Sequence, residues 1–115
     1  MIKSIKFKGE SIEELEVWYY APKHECSAAE FAQQCGKLVR ADFRLASLYE
    51  IKFEKFTPCE PDDFMKERIA AALSAAGLSG EPQNFAMGGE NDWDWQECSF
   101  EASGRRFLRV WATSA

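Results

Sequence analysis

The chain has little of what metal sites and membrane spans require. Its 115 residues include one histidine, His24, and none of its cysteines stands in a Cys-x-x-Cys pair. A zinc ion would therefore need cysteines or carboxylates from distant elements, so no metal site is predicted. No apolar run approaches the roughly 18 residues of a membrane span, and the N-terminus alternates where a signal peptide would be uniformly apolar. We expect a cytoplasmic protein with no membrane partner.

Paired cysteines and an excess of basic residues are also missing. The cysteines, Cys26, Cys35, Cys59 and Cys98, show no close-paired spacing, so they are expected to be small core or half-buried residues rather than bridges. The net charge is −5, from 19 acidic and 14 basic residues. Because a nucleic-acid binder collects Lys and Arg on one face, this balance argues against a nucleic-acid partner. The net negative charge instead favours a basic partner.

No catalytic or cofactor signature is present. Gly88-Gly89 lacks the spacing and the following Lys-Ser/Thr of a phosphate loop. His24, Glu25 and Cys26 bring together a base, an acid and a thiol, but adjacent residues of an extended segment point to opposite sides, so Glu25 could not orient the imidazole. We expect no cofactor; the sequence leaves enzymatic activity open and leans against it.

Apolar and aromatic residues are plentiful, at 46% and 14% of the chain, which is enough for a single globular domain over residues 1–115. Alternation predicts a first strand over residues 2–8 and a second that ends at Pro22, paired as a hairpin. An alternative takes residues 11–14 as the capping box of a short helix, which the β-forming residues 17–20 disfavour.

Two helices are predicted from their end signals. The capping box at residues 27–30 begins a helix over about residues 28–43. A second helix begins close to Pro61 and ends at Gly77, which has the form of a Schellman stop. Residues 46–56 alternate and predict a third strand, whereas residues 79–90 predict a loop long enough to be functional.

The resulting order, ββαβαββ, predicts an α+β domain. A mostly antiparallel sheet of about five strands packs two helices on one face, which leaves the second face of the sheet to solvent or to a partner. The last two strands hold three of the four tryptophans. A three-residue loop over residues 102–104 makes Glu101 oppose Arg105, Glu97 oppose Arg109 and Trp95 oppose Trp111. The core face would then contain Cys98, Phe100, Leu108, Val110 and Ala112.

On this register the opposite face of the hairpin is acidic and aromatic, with Asp92 and Asp94 beside the tryptophans able to hold a cationic group. The leading hypothesis is a small acidic non-catalytic binding protein, of inhibitor, immunity, antitoxin or accessory type. It would engage a protein partner, or itself as a homodimer, through this face, because interface centres are rich in Trp, Tyr and Arg. The predicted partner-binding residues are Trp93, Trp95, Phe107, Trp111, Asp92, Asp94, Arg105 and Arg109.

Two alternatives remain open. One helix on each face of the sheet, or a self-stabilising aromatic ladder, would explain the aromatic residues without a partner. A functional alternative is a small-ligand-binding domain or minor enzyme, with a pocket between sheet and helices. Its predicted pocket residues are Tyr19, Tyr20, Tyr49 and His24.

Overall fold

The computed structural model describes residues 1–9, 13–46, 48–89 and 91–113. Within them the elements are β1 (Lys3–Lys8), β2 (Glu14–Pro22), α1 (Ala28–Asp42), β3 (Thr57–Pro58), α2 (Asp63–Ala75), β4 (Gln83–Met87), β5 (Trp95–Ala102) and β6 (Arg105–Thr113). The strands form one antiparallel sheet in the order β1-β2-β6-β5-β4-β3. The predicted α+β class is confirmed, with six strands rather than about five.

The predicted helices and the first hairpin are confirmed. Ser27 and Glu30 form a reciprocal capping box at the start of α1, with hydrogen bonds of 3.1 and 3.3 Å. Asp62 caps α2, and Gly77 follows that helix with a φ of +70°, which a glycine adopts without steric cost. The alternative helix start at residues 11–14 lies partly outside the described residues, and Glu14 opens β2.

The two helices lie on opposite faces of the sheet, so the prediction of both on one face is wrong. The cluster on the α1 face is formed mainly by Phe31, Cys35, Val39, Val17, Tyr19, Leu108 and Val110. The cluster on the α2 face is formed mainly by Met65, Ile69, Leu73, Trp18, Phe100 and Phe107. Because β2 and β6 are covered on both sides, they contain runs of consecutive buried residues, at positions 16–19 and 107–110.

The described residues of the range 46–56 do not form the predicted third strand, and residue 47 lies outside the described part of the chain. Residues 48–52 have no regular structure, Phe53–Lys55 form a 3₁₀ turn, and only β3 joins the sheet. The alternating side chains serve a different purpose, since Ile51 is buried against the α1 cluster and Arg40 donates to the carbonyl of Tyr49 at 2.7 Å. This segment lies across the α1 face as an anchored loop.

A strand is present where a loop was predicted. Residues 79–90 include β4, where Phe85 and Ala86 are buried. The pairing of β4 with β5 shifts between Gln83 and Ala86, and Asn84 has a φ of +56°. This irregular strand of five residues lacks the clean alternation that predicts strands.

The C-terminal hairpin has a shorter loop than predicted. Ser103 and Gly104 have φ values of +52° and +72°, which is what a two-residue type I′ turn requires, and Ala102 pairs with Arg105. The predicted pairing is therefore wrong by one residue along the whole ribbon. Because side chains alternate between faces, the shift moves Trp95 to the face opposite Trp111.

The same shift splits the predicted core face. Leu108 and Val110 belong to the α1 cluster, and Cys98 and Phe100 belong to the α2 cluster. Neither helix in the described ranges is both long and apolar enough to cross a membrane.

Candidate functional site

Two of the predicted partner-binding residues are part of the core. Phe107 is 0% exposed and stacks between Tyr20 and Phe100, with ring centroids 5.1 and 4.6 Å apart. Arg109 is 2% exposed and donates to Glu16. Neither side chain is placed to meet a partner.

The other six predicted residues divide between two regions. Trp111 and Arg105 are half-buried on the α2 face, and the Trp111 indole donates to Glu14 at 2.8 Å. Trp93, Trp95, Asp92 and Asp94 come together at the start of β5. The prediction of a single aromatic face is therefore wrong, but these two tryptophans and two aspartates do lie close together at one end of the hairpin.

The residues predicted to line a ligand pocket do not converge. Tyr19 is fully buried, and its hydroxyl donates to Asp42 at 2.8 Å. Tyr20 lies on the α2 face, and His24 is exposed in the turn after β2. Only Tyr49 lines a sizeable cleft.

That cleft opens on the α1 side of the sheet, between the anchored loop, described at residues 45–46 and 48–56, and the segment described at residue 89 and residues 91–97. Its volume is about 580 Å³. Its aromatic walls and four carboxylates define what we call the acidic-aromatic cleft: Tyr49, Phe56, Trp95, Glu50, Asp92, Asp94 and Glu97. Two lysines, Lys52 and Lys55, also line it, which leaves a formal charge of −2 if all four carboxylates are ionised.

Trp95 connects the two sides of the acidic-aromatic cleft. Its ring packs against Phe43 and Tyr49, with centroids 5.3 Å apart in both pairs. The Asn91 side chain holds the segment before β5, because its amide donates to the carbonyl of Gly88 at 2.6 Å and its oxygen accepts from the Glu97 N–H at 3.0 Å. The walls are therefore fixed by packing and by hydrogen bonds.

Glu97 lies at the base of this arrangement and is 2% exposed. Burial raises the pKa of its carboxyl from 4.5 to about 7. Its Oε2 accepts from the Trp95 indole at 3.0 Å, and no ion pair among the described residues includes it. The hydroxyl of Tyr49 is also buried, and it has no hydrogen-bond partner within the described ranges.

Gly88 allows the backbone to pass this close to Glu97. A Cβ at position 88 would lie 2.6 Å from the Glu97 Cβ and 3.1 Å from its carbonyl oxygen. Any larger residue would displace β5 or the preceding segment. The base of the acidic-aromatic cleft thus depends on a glycine at this position.

Among the described residues, Glu16 is the other buried carboxylate, and its environment is the opposite of that of Glu97. Glu16 is 5% exposed and forms ion pairs with Arg68 and Arg109. Burial would raise its pKa, but hydrogen bonds from Arg68 and the charge of Arg109 outweigh burial and hold the pKa below its usual value. Glu16 therefore has its cations within the fold, whereas Glu97 has none.

Comparison of the chain with protein-family models, with curated proteins and with solved structures finds no match in any of the three. In the described part of the chain, no three His, Cys, Asp or Glu side chains are grouped so that they could hold a metal ion. The site must be interpreted from its own geometry.

Sequence reasoning placed Glu97 opposite Arg109 as a surface ion pair and missed its burial. The available signal was the Ser103-Gly104 dipeptide, because a two-residue turn there puts Glu97 on the α1 face beside Trp95. The contribution of Tyr49 to the same cleft depends on the irregular path of residues 48–56, for which the sequence has no comparable signal.

The raised pKa of Glu97 predicts a pH-dependent penalty that the Glu97→Gln variant lacks. The folded protein keeps this proton up to about pH 7, whereas the unfolded chain loses it near 4.5, so the stability contribution falls as pH rises through that window. The free energy of unfolding of Glu97→Gln, measured relative to that of the original protein, should therefore be about 2–3 kcal/mol higher at pH 8 than at pH 5. Urea unfolding of both proteins at both pH values measures this difference. The prediction is contradicted if the free energies of unfolding of the two proteins change equally with pH.

Proposed function

We propose that this protein is a small non-catalytic binding protein that engages a basic region of a macromolecular partner through the acidic-aromatic cleft. The observation that carries the proposal is Glu97, a buried carboxylate that forms no ion pair with any residue the structure describes. Burying a carboxylate is unfavourable unless a positive charge or sufficient hydrogen bonds compensate it. A cationic group from a partner would supply that compensation, and it would meet three further carboxylates in the same cleft.

Two exposed hydrophobic side chains beside the site favour a macromolecular partner over a small molecule. Leu48 lines the acidic-aromatic cleft and is 85% exposed, and Trp93, in the turn before β5, is 68% exposed. Interfaces between proteins are enriched in tryptophan. A small ligand within the cleft would leave most of the Trp93 ring in water, whereas a protein segment could cover it.

The sheet edges support a different molecule, rather than a second copy, as the partner. The edge strand β1 contains Lys3, Lys6 and Lys8, and the other edge, β3, has two residues and ends at Pro58. Lysines, proline and short length all disfavour strand pairing between molecules. An inhibitor, immunity, antitoxin or accessory role fits a monomer that uses its cleft.

A small-ligand-binding protein or minor enzyme is the second candidate. The cleft volume of about 580 Å³ falls in the usual range of ligand sites. A carboxyl with a pKa of about 7 is also suited to exchanging protons near neutral pH. This candidate gains support if a small amine saturates the cleft as tightly as any peptide.

Labelled peptides of equal length and equal apolar content, with basic, neutral or acidic net charge, test the proposal by fluorescence anisotropy. The basic peptide should bind, and its affinity should fall with added salt. Glu97→Gln should weaken that binding by at least about tenfold. Glu60→Gln is the matched control, because it removes the same charge from an exposed position outside the cleft, and it should change affinity less than about twofold.

Equal binding of the acidic or neutral peptide would contradict the proposal. So would equal losses in the two variants, since the effect would then reflect net charge alone. Trp93→Ala gives an independent check, because it should weaken peptide binding while leaving the free energy of unfolding within about 0.5 kcal/mol.

A further inference from the structure

The hydrogen bonding of Glu97 restricts the cation that it can receive. Its Oε2 already accepts from the Trp95 indole at 3.0 Å, which leaves Oε1 as the carboxylate oxygen without a partner. A guanidinium binds a carboxylate best as a fork that uses both oxygens, whereas an ammonium acts as a point charge and needs one. We infer that the partner group seated against Glu97 is the ammonium of a lysine side chain.

This inference rests on the proposed function, and the hydroxyl of Tyr49 supports it independently. That oxygen belongs to a residue that lines the same cleft, and it is buried with no hydrogen-bond partner among the described residues. Buried polar atoms normally find a partner, and an exception indicates an absent one. An ammonium has three N–H donors in rotatable positions, so it has enough donors for both the Glu97 carboxylate and the phenol oxygen.

The aromatic walls fit the rest of a lysine side chain. Trp95 and Tyr49 pack edge to face at 5.3 Å, and Phe56 lines the same space. Lysine buries its four-carbon stem along apolar surface while its charged end reaches a polar group. Aromatic rings beside that end add a cation–π attraction. A short polar side chain would not cover the surfaces of these rings that line the cleft.

The charges that face Glu97 across the cleft remain net negative. Glu50, Asp92 and Asp94 add attraction, and Lys52 and Lys55 oppose it. Neither lysine forms an ion pair with Glu97. An ammonium of Lys52 or Lys55 that reached Glu97 in solution would compete with the partner. A variant with both lysines changed to glutamine should therefore bind a lysine peptide more tightly.

Calorimetric titration with capped peptides that differ only at a central residue tests this inference. The central residue is lysine, arginine, norleucine or acetyl-lysine, and n-butylammonium serves as the free-amine probe. The lysine peptide should bind at least about tenfold more tightly than the norleucine and acetyl-lysine peptides, and several-fold more tightly than the arginine peptide. The butylammonium ion should bind more weakly than the lysine peptide, because it cannot cover Trp93 and Leu48.

Two variants make the result specific to the site. Glu97→Gln should abolish the preference for lysine over acetyl-lysine. Tyr49→Phe, which removes only the unpartnered hydroxyl, should reduce that preference several-fold, and circular dichroism should show that both variants remain folded. Retention of the full preference in both variants would overturn the inference.

The possible failures are distinguishable. Equal or tighter binding of the arginine peptide, with dependence on Glu97, would overturn the lysine inference and leave the proposed function standing. Binding of n-butylammonium as tightly as the lysine peptide would assign the cleft to a free amine. Binding of every peptide without regard to charge would overturn both the inference and the proposed function.

Discussion

Replacing Glu16 by alanine should lower the free energy of unfolding by about 3–5 kcal/mol. Arg109 is 2% exposed and would keep its charge in the core after its carboxylate partner is removed. Arg68 would lose its ion pair in the same variant. Removal of one member of a buried pair is costly because the remaining charge is neither hydrated nor compensated. Chemical denaturation at pH 7 measures this loss.

Glu101→Ala is the matched control for this loss. Glu101 lies on β5 and forms ion pairs with Lys23 and Arg106, but unlike Glu16 it is partly exposed. Ion pairs near solvent contribute little, so the control should lose less than about 1 kcal/mol. Similar losses in Glu16→Ala and Glu101→Ala would show that the buried network is not a special source of stability.

The stabilisation from Glu16 also has a defined pH range. Its pKa lies below 4.5 in the folded protein, so the unfolded chain binds the proton first as the solution is acidified. The contribution is fully present above that value and is lost as pH falls through the folded pKa. Glu97 acts in the opposite direction at higher pH, so the two carboxylates together favour maximum stability in mildly acidic solution.

Replacing Phe107 by alanine should also lower the free energy of unfolding by about 3–5 kcal/mol. The ring is 0% exposed and lies in a continuous stack with Tyr20 and Phe100. Its removal would leave a cavity between two strands and α2 that rigid neighbours cannot fill. Guanidinium unfolding measures the loss, and the midpoint should fall with little change in slope.

Trp93→Ala is the contrasting variant on the same hairpin. The Trp93 ring is 68% exposed, so its removal should change stability by less than about 0.5 kcal/mol. The register predicted from sequence put Phe107 and Trp93 on one surface and implied small effects for both. A small loss in Phe107→Ala would favour that register and contradict the two-residue turn at Ser103 and Gly104.

Local signals in the sequence were sufficient for the helices and the first hairpin. The capping box at Ser27, the acidic start at Asp62 and the stop at Gly77 act within a few residues of the chain. Their effects do not depend on what packs above them. The α+β class followed from these elements and from the order in which they occur.

Features set by distant contacts could not be predicted in the same way. Residues 46–56 alternate like a strand, but their apolar side chains anchor an irregular loop to α1. The C-terminal register depended on one residue in a loop, and the wrong choice also produced plausible Glu–Arg pairs. Alternation alone does not show which face of a sheet is covered, so the sequence pattern did not distinguish two helices on one face from one helix on each face.

The candidate site was predicted in parts. Asp92, Asp94 and Trp95 belonged to the partner-binding hypothesis and Tyr49 to the ligand hypothesis, and the structure places all four in one cleft. Glu97 was missed because its burial follows from the register and from close passage of Gly88. A combination of two distant segments is needed to create an unpaired buried carboxylate.

Titration of the Glu97 side-chain carboxyl by ¹³C NMR tests the central proposal most directly. We predict a pKa near 7 in the free protein and a clear decrease when a saturating lysine peptide supplies the missing positive charge. The Glu97→Gln spectrum assigns the resonance. A pKa near 4.5 in the free protein that stays unchanged with the peptide would contradict both the buried, uncompensated state of Glu97 and its role as the cation site.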